Sequence, residues 1–127
     1  MSYGISKTTS LSFDQAIEKV TEELTKEGFG VLTTIDVKET LKKKIDVDIP
    51  RYTILGACNP HFANKALKIE QEIGLLLPCN ILVYEQNGSV TVSAFDPIMM
   101  DKIVSNPALQ PLSEEVRLKL QRVIESM

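Results

Sequence analysis

Tryptophan is absent from the 127 residues, histidine occurs once and cysteine twice. A closed zinc site needs four soft ligands at ~2.0–2.3 Å. Here it would have to take Cys58, Cys79, His61 and a carboxylate such as Asp96, with only one Cys-x-x-His spacing to support it. No metal and no cofactor is expected on that ground. Long apolar runs are also missing. The run Leu75-Leu76-Leu77 stops at Pro78, and none approaches the ~20 residues a membrane helix requires. The opening residues, Met1 to Lys7, contain no apolar stretch of the signal-peptide kind. These two absences point to the cytoplasm and away from membranes, and in a reducing compartment two cysteines are by default free thiols. There is no basic excess either. Lysine and arginine number 14 against 17 acidic residues, for a net charge of −3. A general nucleic-acid binder needs a basic face to displace counterions, so none is expected. G-x-S-x-G, P-loop, G-x-G-x-x-G and H-E-x-x-H motifs are all lacking, which removes the usual support for hydrolase, nucleotide-binding and zinc-protease activities.

What is present is ordinary for one globular domain, with 43% hydrophobic and 24% charged residues. No repeat, linker or low-complexity stretch divides it, so residues 1–127 read as a single domain. Tyr3 to Thr9 alternate as a strand. Ser12 with Gln15 makes a capping box, and Phe13, Ala16, Ile17, Val20 and Leu24 follow helical spacing up to Gly28, a left-handed cap. Phe29, Val31, Thr33 and Ile35 alternate as a second strand. Asp36 and Glu39 open a short helix with Val37, Leu41 and Ile45 turned inward and Lys42-Lys43-Lys44 on a solvated face. Tyr52 to Cys58 is a third strand. Asn59-Pro60 then reads as an N-cap with proline at the first helical position. Phe62, Ala66, Ile69 and Ile73 form the stripe of that helix, ended by Gly74. Asn80–Glu85 and Ser89–Phe95 flank Asn87-Gly88, the strongest short hairpin signal. Asp96-Pro97 repeats the cap-plus-proline device, and Met99-Met100 read as core filler or the floor of an apolar pocket. Ser113 is expected to cap a last helix, with Glu114 and Glu115 in its first turn and Val116, Leu120, Val123 and Met127 inward.

The fold class is therefore α+β. The expectation is an antiparallel five-stranded sheet in the order strand, helix, four strands, helix, with short helical insertions and the helices on one face. Antiparallel reversals bring the end of the third strand, the start of the fourth and the end of the fifth to one edge, and the lysine-rich insertion to the other. Cys58, Asn59, His61, Cys79, Asn80 and Asp96 thus converge as candidate ligand-binding residues. Helix starts there would aim free N–H groups at a common spot, which suits an anion or lowers a thiol pKa. The plainer reading makes the cysteines small buried side chains and Asn59 and Asp96 simple caps. Strand parity, with Cys58 on the face of Ile54 and Cys79 on that of Ile81, makes the cysteines cross-strand neighbours.

Three segments carry a resemblance: Ile54-Leu55-Gly56-Ala57-Cys58-Asn59-Pro60, Gly74-Leu75-Leu76-Leu77-Pro78-Cys79-Asn80 and Ala94-Phe95-Asp96-Pro97. Together with Gly28-Phe29-Gly30-Val31 and Asp36-Val37-Lys38, they resemble a bacterial and archaeal family, domain of unknown function family 302. The resemblance implies a fold similar to that of the TATA-binding protein and accommodates homodimers. It brings no activity, substrate or catalytic residue, since fold does not transmit function. Three readings follow for function. One is a non-enzymatic binding module for a small ligand or anion at the shared sheet edge. The second is a thiol redox enzyme or sensor using Cys58 and Cys79. The third is a dimeric structural protein whose open sheet face is covered by a second copy, because the helical stripes cover only one face. Whether the chain is an enzyme stays open at this point.

Overall fold

Asn87 and Gly88 both adopt positive φ (52° and 79°), the geometry a two-residue hairpin turn demands. Around this turn the computed structural model, which describes residues 2–127, builds its sheet. The elements are β1 (Gly4–Thr9), α1 (Phe13–Lys26), β2 (Gly30–Asp36), α2 (Val37–Ile45), β3 (Tyr52–Cys58), α3 (Pro60–Ile69), a 3-10 turn (Gln71–Leu76), β4 (Cys79–Gln86), β5 (Ser89–Phe95), α4 (Ile98–Ile103) and α5 (Gln110–Glu125). Every strand pair is antiparallel, in the order β1-β5-β4-β3-β2. The α+β class and the five-stranded antiparallel sheet are as the sequence indicates.

One face of the sheet carries the core. Leu55, Ala57, Ile81, Val83, Val92 and Ala94 pack against Ala16, Val20 and Leu24 of α1 and Val116, Leu120 and Val123 of α5. At the end of the sheet where β3 finishes and β4 starts, a smaller cluster of Ile73, Met100 and Leu109 extends this layer. The register places three rows on the other face. Ile35, Ile54, Leu82, Ser93 and Ser6 form the central row, with Tyr52, Tyr84, Thr91 and Thr8 on one side of it and Thr33, Gly56, Asn80, Phe95 and Gly4 on the other. Tyr52 and Tyr84 stack there with ring centroids 5.6 Å apart.

Several local expectations change. In β2 a bulge between Val31 and Thr33 inserts Leu32 and reverses the alternation, so Val31 packs on the core and Ile35 pairs with Ile54 on the open face. Ile45 does not turn inward from α2; it is 63% exposed. The third helix ends at Ile69 rather than Gly74, and Ile73 reaches the core from the 3-10 turn. Ser113 caps nothing. The last helix begins at Gln110 with Pro111 in its first turn, and the buried Ser113 Oγ donates to Asp101 Oδ1 at 3.0 Å. The proline device outranks the serine because a proline at a helix start loses no needed N–H.

Candidate functional site

Cys58 ends β3 and Cys79 begins β4. Ala57 is the residue opposite Cys79, so Cys58 lies one step further along and diagonal to it. The parity expectation is corrected accordingly: Ile81 pairs with Leu55, and Cys58 continues the pleat of Ile54 on the other face. The two thiols are nonetheless close neighbours at the strand ends, both unbridged. Cys79 is buried, and burial, helped by the nearby Cys58, pushes its pKa up to about 11. Its thiol is therefore neutral at physiological pH.

Asn59 stands at the N-cap position of α3, yet its side chain makes no capping bond. Instead Nδ2 donates to the Glu27 carbonyl at 3.3 Å, tying the start of α3 to the end of α1. Gly28 permits this approach. Its φ is +85°, and a Cβ there would come within 3.1 Å of Asn59 Nδ2. Asn59 is only 8% exposed, and its Oδ1 is fully buried and meets no donor among the described residues.

Cys58, Asn59 and Cys79 border one cavity of about 60 Å³. The rest of its wall is almost wholly carbon, including Phe62 and Ala66 of α3, Leu77, Met100 and Leu112 and Val116 of α5. A water needs ~10–15 Å³ of such space, so the cavity takes roughly four to six waters or one small organic group. Asp96 is nearby in sequence to the wall residue Pro97 but does not itself line the cavity. Both its carboxylate oxygens accept from Arg117 Nε at 3.1 Å, and Oδ1 also accepts from the Ile98 N–H at 3.1 Å. Asp96 thus pins the end of β5 to α5. His61 and Asn80 are exposed and also lie outside the cavity wall. Among the described residues no three of His, Cys, Asp and Glu gather closely enough to hold a metal ion.

Of the residues that border this cavity, the sequence marked Cys58, Asn59 and Cys79 as candidates and Met100 as core filler or a pocket floor. It missed the contribution of α3 and α5, whose Phe62, Ala66 and Val116 were legible only as core stripe. It also missed Arg117, whose pairing with Asp96 spans 21 residues and leaves no local signature.

No curated protein matches the chain. A solved structure, the uncharacterized conserved protein DUF302 from Bacillus stearothermophilus, is similar over 99% of this chain and 98% of its own, at 28% identity and a TM-score of 0.93. The family model described as Domain of unknown function DUF302 matches residues 5–127. With that match running from β1 to the end of the last helix, the chain belongs to the DUF302 family.

Proposed function

We propose that the chain is a non-enzymatic binding module for a small, mainly apolar molecule bearing one hydrogen-bond donor, held in the cavity between α3, α5 and the ends of β3 and β4. The carrying observation is Asn59 Oδ1, a sealed acceptor without a donor, on a residue that borders an otherwise carbon-walled cavity. A buried acceptor left unpaired costs ~1–3 kcal/mol, so a ligand that donates to it, once a local shift of the Asn59 side chain turns Oδ1 into the cavity, recovers that cost. An anion fits less well. The carboxylate of Asp96 already holds Arg117, and no cationic side chain lines the cavity. Dithiol exchange is the weaker reading too, because a thiol with a pKa near 11 supplies little thiolate to attack or resolve. Free thiols fit a cytoplasmic setting, and no described helix is long and apolar enough to cross a membrane. The fold likeness to the TATA-binding protein implied by the family carries no nucleic-acid role here, given the net charge of −3.

The test compares phenol with benzene in thermal denaturation of the reduced protein. Saturation at ~100 Kd raises stability by ~2.7 kcal/mol, a shift of several degrees. Phenol is expected to raise the melting temperature more than benzene at equal concentration, and Asn59→Leu to abolish the difference. Equal shifts, or none, would remove the proposal.

A further inference from the structure

The open face of the sheet differs in composition from the rest of the surface. The chain as a whole is 24% charged, but none of the three outward rows contains a lysine, arginine, aspartate or glutamate. Aliphatic Ile35, Ile54 and Leu82 and aromatic Tyr52 and Tyr84 stand there instead, while Phe95 at the end of the third row packs against the Ile73, Met100 and Leu109 cluster. Apart from Gly56 none of the face is buried, and Ile35 is 47% exposed. A solvated antiparallel face ordinarily alternates polar residues outward. Loss of charge with enrichment in Tyr and aliphatic side chains is the composition of an interface core.

We infer that this face is the contact between two copies of the chain, packed sheet on sheet about a two-fold axis. The absence of charge selects the occupant. A nucleic acid or an anionic membrane surface would call for cations on the face, and none is present. Two copies, each carrying −3, repel least where neither presents a charge to be desolvated. The dimensions agree. Five strands at ~4.8 Å spacing and three outward positions per strand at ~6.8 Å give a patch of roughly 24 by 20 Å. Pairing two such patches removes on the order of 1,000 Å² of surface, about the lower bound for a specific interface. Aligned sheets pack ~10 Å apart with interdigitating side chains. The register identifies the centre: Leu82 belongs to the middle row of β4, which is the middle strand of the five. In an isologous contact Leu82 therefore lies on or beside the axis and meets its own counterpart.

Sedimentation equilibrium of the full chain with reductant, from about 1 to 100 µM, tests this. The expected result is twice the chain mass of 14.1 kDa. Leu82→Lys and Leu82→Glu should each weaken association at least ~100-fold while retaining the wild-type circular dichroism. An equimolar mixture of the two should associate again, because the axis places Lys against Glu, and misfolding cannot mimic that rescue. Should either variant unfold, Ser93→Glu in the same row replaces it. Leu118→Glu, at an exposed position of α5, should remain dimeric. A wild-type monomer at 100 µM would overturn the inference, as would dissociation caused by Leu118→Glu and not by the central-row variants.

Discussion

Single side chains in this protein owe their chemistry to their place at the sheet end more than to their type. Cys58 and Cys79 are near neighbours, yet Cys79 is buried with a pKa near 11 and Cys58 is half-buried at the edge of the cavity. At pH 8 a thiol of pKa 9 is about a tenth thiolate, and one of pKa 11 about a thousandth. Alkylation of Cys58→Ser, which keeps Cys79, should therefore run ~100-fold slower at pH 8 than that of an ordinary thiol. It should also keep rising about tenfold per pH unit up to pH ~10. Cys79→Ser, which keeps Cys58, should react faster throughout. Equal iodoacetamide rates for the two variants would refute the assignment. Sequence alone carried part of this contrast, since Ile81 and Val83 continue the face of Cys79 and mark it as buried. It could not supply the diagonal offset between the thiols. That offset depends on a register in which Ala57, and not Cys58, stands opposite Cys79.

Between elements, polar side chains do the fastening at the helix ends. Arg122 of α5 donates to Glu27, at the end of α1, from Nε at 3.2 Å to both oxygens and from its terminal nitrogen at 2.8 Å. The same Glu27 accepts from Asn59 through its carbonyl, so one residue joins α1, α3 and α5. The Arg122 hydrogen bonds hold the Glu27 carboxyl below its ordinary value of 4.5. A depressed carboxylate pKa contributes stability that is present above the unfolded-state value and is lost as pH falls through the folded-state value. Glu27→Gln should therefore lower the melting temperature at pH 7 by roughly 2–4 °C, with the gap to wild type narrowing as pH falls below the ordinary value of 4.5. A gap unchanged at pH 3 would show that packing, and not the ion pair, is responsible. Helix starts were the least legible feature at this scale. Ser113 and Asn59 are good capping residues by type, but Ser113 bonds Asp101 and Asn59 bonds Glu27. The Asn59 bond uses Nδ2 and leaves its capping atom, Oδ1, without an N–H, while the helix that Ser113 was expected to cap already begins at Gln110. The strands fared better: Tyr52–Cys58 and Ser89–Phe95 were readable to the residue because β-branched runs and the Asn87-Gly88 turn agree there. Only the Leu32 bulge, invisible to a period-two pattern, reversed a face.

Across the whole molecule, the hydrophobic layer is uneven. The main cluster spans α1, α5 and the strands, whereas the cluster near the cavity has, among the described residues, only three buried members, Ile73, Met100 and Leu109. Few buried contacts mean low local opening free energy. Amide exchange should accordingly be fastest, among the structured segments, in α2, which has no buried residue, and in α3, the following 3-10 turn and α4, and slowest in β4, β5 and α5. Uniform protection would contradict this. Entry of a ligand to a cavity walled in part by α3 and α4 then needs only a local opening. The strand order has a further consequence, for synthesis. β1 takes its place at the edge of the sheet only by pairing with β5, where Gly4 meets Phe95. Lys7 and Thr9 are then clasped by the carbonyls of Glu125 and Met127. At ~5–20 residues per second on the ribosome, β1 waits roughly 5–20 s for its neighbour, and β4 and β3 must survive meanwhile as a sheet with an unfinished side. β1 is thus the last strand to be locked, and until β5 is made the nascent sheet offers β4 as a free edge to any other strand within reach.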